Sequence, residues 1–142
     1  MQLQFVLRLP TDTKSVPIVR ALCRQALTLL GADRQCVTDI ALAVTEACAN
    51  VVLHSSSVTS FEVRVDIDDW DCTITVTDQG TGFDLDRVGR SVSLGETGRG
   101  IELMRLLVDD LHFVPAEGGT VVRLTKHLQM SDLPDGMRTG RA

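Results

Sequence analysis

The chain has 142 residues, 44% of them hydrophobic, and its 14 basic and 19 acidic side chains give a formal net charge of −5. That length suits one domain with a real core, and the apolar content excludes disorder except at the ends. The acidic balance argues against direct binding of nucleic acid; with no basic, apolar leader in Met1 to Pro10 and no run expected to span a membrane, the chain reads as soluble and cytoplasmic.

Gln2 to Leu9 alternates, with Leu3, Phe5, Leu7 and Leu9 on one side of a predicted strand. Thr11 to Ser15 offers helix caps, Pro17 fits a first turn, and Ile18, Leu22, Ala26, Leu29 and Leu30 predict an amphipathic helix that stops at Gly31. A central helix is predicted from about Asp33 to about Ser55, with Ile40, Val44, Ala47 and Val51 as its core face. Glu46 and Asn50, four residues apart, stand one above the other on a second face, where Ala43, Ala47 and Ala49 leave room for a ligand.

Phe61 to Ile67 and Cys72 to Thr77 predict a hairpin around Asp68 to Asp71, with Trp70 as a packing residue at its end. The segment Asp78-Gln79-Gly80-Thr81-Gly82 follows, then a polar stretch to Thr97, then Gly98-Arg99-Gly100 before an apolar-periodic helix over Ile101 to Val108. Leu111 to Val114 and Thr120 to Thr125 predict two more strands, joined across Pro115 to Gly119. The domain is expected over 1–126, with a flexible C-terminal tail over 127–142. The order β-α-α-β-β-α-β-β predicts an α+β fold, a two-layer α/β sandwich whose mixed, mostly antiparallel sheet carries three helices on one face. Cys23, Cys36, Cys48 and Cys72 include no CxxC pair and are expected as reduced thiols, while His54, His112 and His127 are too scattered for a metal site.

Three features then converge on one chemistry. Glu46 and Asn50 place a carboxylate and an amide on a helix. Asp78, at a strand end, can accept a hydrogen bond from an exocyclic amine such as adenine's, and Gly80 and Gly82 let the backbone approach a ligand without Cβ interference. A helix beginning after Gly98-Arg99-Gly100 offers free N–H groups and the positive end of its dipole to phosphate.

In that order the segments resemble the N, G1 and G2 boxes of the GHKL ATP-binding (Bergerat) fold shared by histidine kinases, gyrase and MutL: Glu46-Ala47-Cys48-Ala49-Asn50, Asp78-Gln79-Gly80-Thr81-Gly82 and Gly98-Arg99-Gly100. The wording from Val44 to Ser55, the short loop between Phe83 and Thr97 and the closing Gly118 to Lys126 are most similar to the RsbW-like anti-sigma-factor serine kinases. The resemblance covers about residues 5 to 126. It implies a serine/threonine protein kinase that is also an anti-sigma factor, with ATP and Mg2+ as cofactors. Its partners would be a sigma factor and an antagonist that it phosphorylates, and it would form a homodimer. It implies Glu46 as general base, Asn50 as Mg2+ ligand, Asp78 on the adenine amine with Thr120 as helper, and Thr97, Gly98, Arg99 and Gly100 around the phosphates. Arg20 and Arg24 would meet partners. The competing reading is an anti-sigma binding module without kinase activity; a detached histidine-kinase ATPase domain is disfavoured by the short loop and the missing acceptor-histidine helix.

Overall fold

Period-two alternation builds the sheet. In the computed structural model, which describes residues 1–54, 59–78, 96–116 and 119–131, the strands are β1 (Leu3–Pro10), β2 (Ser60–Ile67), β3 (Asp71–Asp78), β4 (Asp110–Ala116) and β5 (Gly119–His127). They lie in the order β1-β2-β3-β5-β4, and every pairing is antiparallel. β3 and β4 run the same way, but β5 returns between them, so no parallel pair forms. The helices among the described residues are α1 (Ser15–Leu29), α2 (Arg34–His54) and α3 (Glu96–Leu107).

One face of the sheet is apolar. Phe61, Val63, Val65 and Ile67 of β2, Cys72, Ile74 and Val76 of β3, and Val122 and Leu124 of β5 are buried there, while the intervening Glu62, Arg64, Thr75 and Arg123 keep contact with solvent. The helices cover the apolar face, giving the expected two-layer α+β sandwich. A half-buried ion pair, Lys126 Nζ to Asp39 Oδ2 at 3.6 Å, links β5 to α2.

The buried side of α1 is only in part the one expected: Ala26 and Leu30 pack against the core, but the residues most deeply buried are others. Ser15, Val19, Cys23 and Leu27 face the core, whereas Ile18, Leu22 and Leu29 are 50%, 42% and 76% exposed. Apolar residues occupy more than half of this helix's circumference, so periodicity allowed two stripes. The stripe with the smaller side chains, Val19 and Cys23, is the one that packs against α2. Ser15 is satisfied within the core by donating its hydroxyl to the Pro10 carbonyl, 2.7 Å away. The expected stop is borne out: Gly31 has φ +88°, its N–H donates to Thr28 O, and the Ala32 N–H donates to Leu27 O, both within 3.1 Å. This is the Schellman pattern, in which the left-handed residue favours glycine.

Asp33 caps α2, its Oδ1 accepting the Cys36 N–H at 2.8 Å, an arrangement worth about 1 kcal/mol. By length and composition α2 could cross a membrane, contrary to the expectation of no such run. Its apolarity has a local cause: α2 packs against α1, α3 and the sheet, so Ile40, Ala43, Val44, Ala47, Cys48 and Val51 are all buried. Ala43 and Ala47 therefore serve the core, and of the three alanines expected to make room for a ligand only Ala49 borders open space. Beyond β5, Ser131 donates its N–H and hydroxyl to Gly31 O, and Gln129 O accepts the Asp33 N–H. Leu128 to Ser131, which fall within the expected tail, thus lie against the α1–α2 turn.

All four cysteines are free and buried. Burial pushes the Cys23 thiol up to about 12 from an ordinary 9.0, and Cys48 and Cys72 further in the same direction. A thiol whose folded pKa lies above its unfolded one stabilises fully below the unfolded value, and that contribution is lost as pH rises towards the folded value. Each of the three should cost about 1.4 kcal/mol per pH unit above pH 9. Urea midpoints should be level near pH 8, fall steeply from 9 to 11, and fall less in Cys48→Ala. A midpoint unchanged to pH 11 would contradict this burial.

Candidate nucleotide and phosphoryl-transfer site

The buried polar side chains of the described residues are Ser15, Asn50 and Asp78. Ser15 is accounted for by its bond to Pro10. The other two are residues singled out above, and each is placed by the periodicity of its own element.

On α2, Glu46 and Asn50 are one turn apart, with Asn50 5% exposed and Glu46 half-buried. Both line a cavity of about 280 Å³ between α2 and α3, together with Ala49, Leu53, Arg99, Gly100 and Leu103. Small-molecule pockets typically run to roughly 300–1,000 Å³. This one lies just below that range. Glu46 and Arg99 bring a carboxylate and a guanidinium to the cavity, and neither forms an ion pair with any described residue. Leu53 and Leu103 were missed in the sequence. The spacing that finds them is helical: Leu53 lies seven residues beyond Glu46, and Leu103 four beyond Arg99.

α3 corrects one expectation. It was predicted to begin after Gly98-Arg99-Gly100, but it begins at Glu96, so Thr97, Gly98, Arg99 and Gly100 are its second to fifth residues. The open N–H groups of its first turn therefore precede Gly100, whose own N–H belongs to the helical ladder. Ile101 and Met104 anchor the helix in the core, and Arg99 stays exposed. Gly100 is buried against α2: a Cβ built on it would lie 2.9 Å from Glu46 Oε2 and 3.7 Å from Asn50 Oδ1. Two segments 54 positions apart (100 − 46) are thus packed closely enough that a single added carbon would collide.

Asp78 closes β3 on the same side as Cys72, Ile74 and Val76, the helix-covered face, and is 4% exposed. In register it stands between Phe61 of β2 and Thr120 of β5, so Thr120 is its cross-strand neighbour. Asp78 is not among the residues lining the cavity. Gly80 and Gly82 lie outside the described residues.

An ion held by several carboxylates does not fit here, since no group of three or more His, Cys, Asp or Glu side chains suited to a metal occurs among the described residues. A magnesium ion that keeps most of its waters and arrives with a nucleotide needs few protein ligands. The Asn50 amide oxygen beside the cavity suits that kind of ion.

Comparison with known proteins bears on the family and the fold. The profile of the histidine kinase-like ATPase domain matches residues 9–126. The Bacillus licheniformis serine-protein kinase RsbW is 28% identical over 141 residues, covering 89% of this chain and 87% of that protein. A Bacillus velezensis protein of the same name is 28% identical over 135 residues, covering 86% and 84%. The crystal structure of the RsbU and RsbW domains of a Mycobacterium tuberculosis protein superposes with a TM-score of 0.71 at 22% identity, over 91% of this chain and 34% of that longer one. At that identity the superposition establishes the fold.

Proposed function

The chain belongs to the histidine kinase-like ATPase domain family, and on that basis we propose that it is an ATP-dependent serine/threonine protein kinase and anti-sigma factor that phosphorylates an antagonist protein. The observation that carries this reading is the meeting of Glu46, Asn50 and Gly100 on one cavity.

Phosphoryl transfer asks little covalent chemistry of a protein; it asks for placement, charge neutralisation and a base. Asn50 offers an amide oxygen to Mg2+, which when bound would neutralise charge on the phosphates of ATP. Thr97 and Gly98, in the first turn of α3, and Arg99 beside them supply N–H donors and positive charge to those phosphates. Asp78 accepts the adenine amine, with Thr120 beside it in the sheet. Glu46 takes the proton of the serine or threonine hydroxyl as its oxygen bonds to the γ-phosphorus and the bond to the ADP oxygen breaks. The acceptor enters past Leu53 and Leu103, the apolar flank of the cavity beside Glu46.

The sigma factor and the antagonist dock on α1, where exposed Ile18, Leu22 and Leu29 accompany exposed Arg24 and half-buried Arg20. The protein acts as a homodimer in the cytoplasm, over a kinase domain spanning 1–126.

The test is transfer itself. Purified chain, Mg-[γ-32P]ATP and the antagonist recovered by co-purification should yield acid-stable phosphoserine or phosphothreonine on the antagonist. ATP binding without transfer would leave a binding module, and acid-labile label on a histidine would point to a histidine kinase.

A further inference from the structure

Glycine at position 100 needs a reason. It lies inside a helix, where glycine is among the poorest formers. Its φ is not positive, since Gly31 is the positive-φ glycine of the described chain, so the backbone there would accept any L residue. Its N–H is engaged in the helix and is not free for phosphate. What the position lacks is space: the missing Cβ would stand 2.9 Å from Glu46 Oε2, closer than side chains normally approach. The nearest Asn50 atoms are farther, at 3.7 and 3.9 Å. The vacancy left by the absent side chain is filled by the carboxylate of the base.

We infer that Gly100 is a positioning residue for Glu46. The slot beside its Cα holds the carboxylate facing the cavity, and a methyl group added there displaces the base without removing any nucleotide contact. The inference rests on Glu46 being the base, and it assigns Gly100 a task separate from phosphate binding. Because the displaced atom is the far end of a flexible side chain, the fold should survive the change while the alignment of the base does not.

A double-variant experiment tests this in the whole 142-residue chain. Hydrolysis of Mg-ATP, with water as the acceptor, gives the rate, and calorimetry gives Mg-ATP affinity. Gly100→Ala should slow hydrolysis roughly tenfold to a hundredfold, the cost of misplacing a reacting group by about 1 Å, with affinity changed by less than about threefold. Glu46→Asp alone should also be slow, because its carboxylate falls short of the slot. Combined with Gly100→Ala the shorter side chain clears the added methyl, so the two effects should not multiply, and the double variant should be no slower than Glu46→Asp alone. Affinity falling in step with rate would return Gly100 to the phosphate seat, and a double variant slowed by the full product of the two single effects would also overturn the inference.

A rate unchanged in Glu46→Gln would instead remove the base assignment itself. The contact can be read without catalysis. In urea melts, Gly100→Ala should raise the midpoint more in a Glu46→Ala background than in the native one, because only there does the new methyl meet no carboxylate. Equal shifts in the two backgrounds would mean that the contact is absent.

Discussion

Glu46→Gln is expected to lower phosphoryl transfer to the protein substrate by roughly 10²–10⁴-fold, the usual contribution of a positioned general base. The substitution is nearly isosteric, so the slot beside Gly100 stays filled and Asn50 keeps its neighbour. What is lost is the ability to accept a proton, since an amide oxygen is far too weak a base. Glu46 forms no ion pair with a described residue, so none of those residues loses a charged partner and stability should hold. Mg-ATP affinity should stay level or tighten slightly, because a negative charge has been removed from beside the phosphates. The measurement is single-turnover transfer to the antagonist beside calorimetric binding of Mg-ATP. Transfer at the native rate would sink the base assignment and leave the cavity as a binding site. A binding module has no use for a base at this position, so the same pair of measurements separates the two readings.

The parts of this fold that were legible beforehand are those in which one residue type has one physical use. Strict alternation in Phe61 to Ile67 leaves a single face to bury, and the register follows. Gly31 sits where only a left-handed residue ends the helix. Asp33 capped α2 near the expected start. The readings failed where the sequence offered two equivalent uses. α1 carries apolar residues around most of its circumference, and only the tertiary fit against small residues of α2 decides that Val19 and Cys23 go inward while Ile18 and Leu22 stay out. α2 passes for a membrane span for the related reason that a helix enclosed by other elements is apolar on most sides.

At the site, the helical pair Glu46 and Asn50 was readable from spacing alone, because i and i+4 always share a face. The start of α3 was not, since two glycines in three residues suggest a loop, whereas Gly100 tolerates its helical place because a carboxylate needs the space. Leu53 and Leu103 were overlooked because an apolar residue on a helix is read as core until a neighbouring helix leaves it bordering a cavity.

Asp78 supplies the second large effect, and one of opposite kind. Its carboxylate is buried on the helix-covered face at the end of β3. A carboxylate offers acceptors only, which suits the amine of adenine and opposes the carbonyl that guanine carries at the equivalent ring position. Asp78→Asn keeps the volume and the strand pairing with Phe61 and Thr120, but places an N–H₂ group where an acceptor is required. A hydrogen bond to a charged group is worth about 1.5–3 kcal/mol, and a mispaired buried donor adds to the loss, so Mg-ATP affinity should drop by roughly 10²–10³-fold. Affinity for Mg-GTP should hold or rise, because the new amide can donate to the guanine carbonyl, and the preference for adenine should narrow or invert. Transfer at saturating ATP should remain near native, raising KM with little change in kcat, the reverse of the Glu46→Gln pattern. Calorimetry with both nucleotides, together with a urea midpoint confirming the fold, makes the comparison. Undiminished ATP affinity in this variant would place adenine elsewhere, and with it the link between the sheet end and the cavity at Glu46.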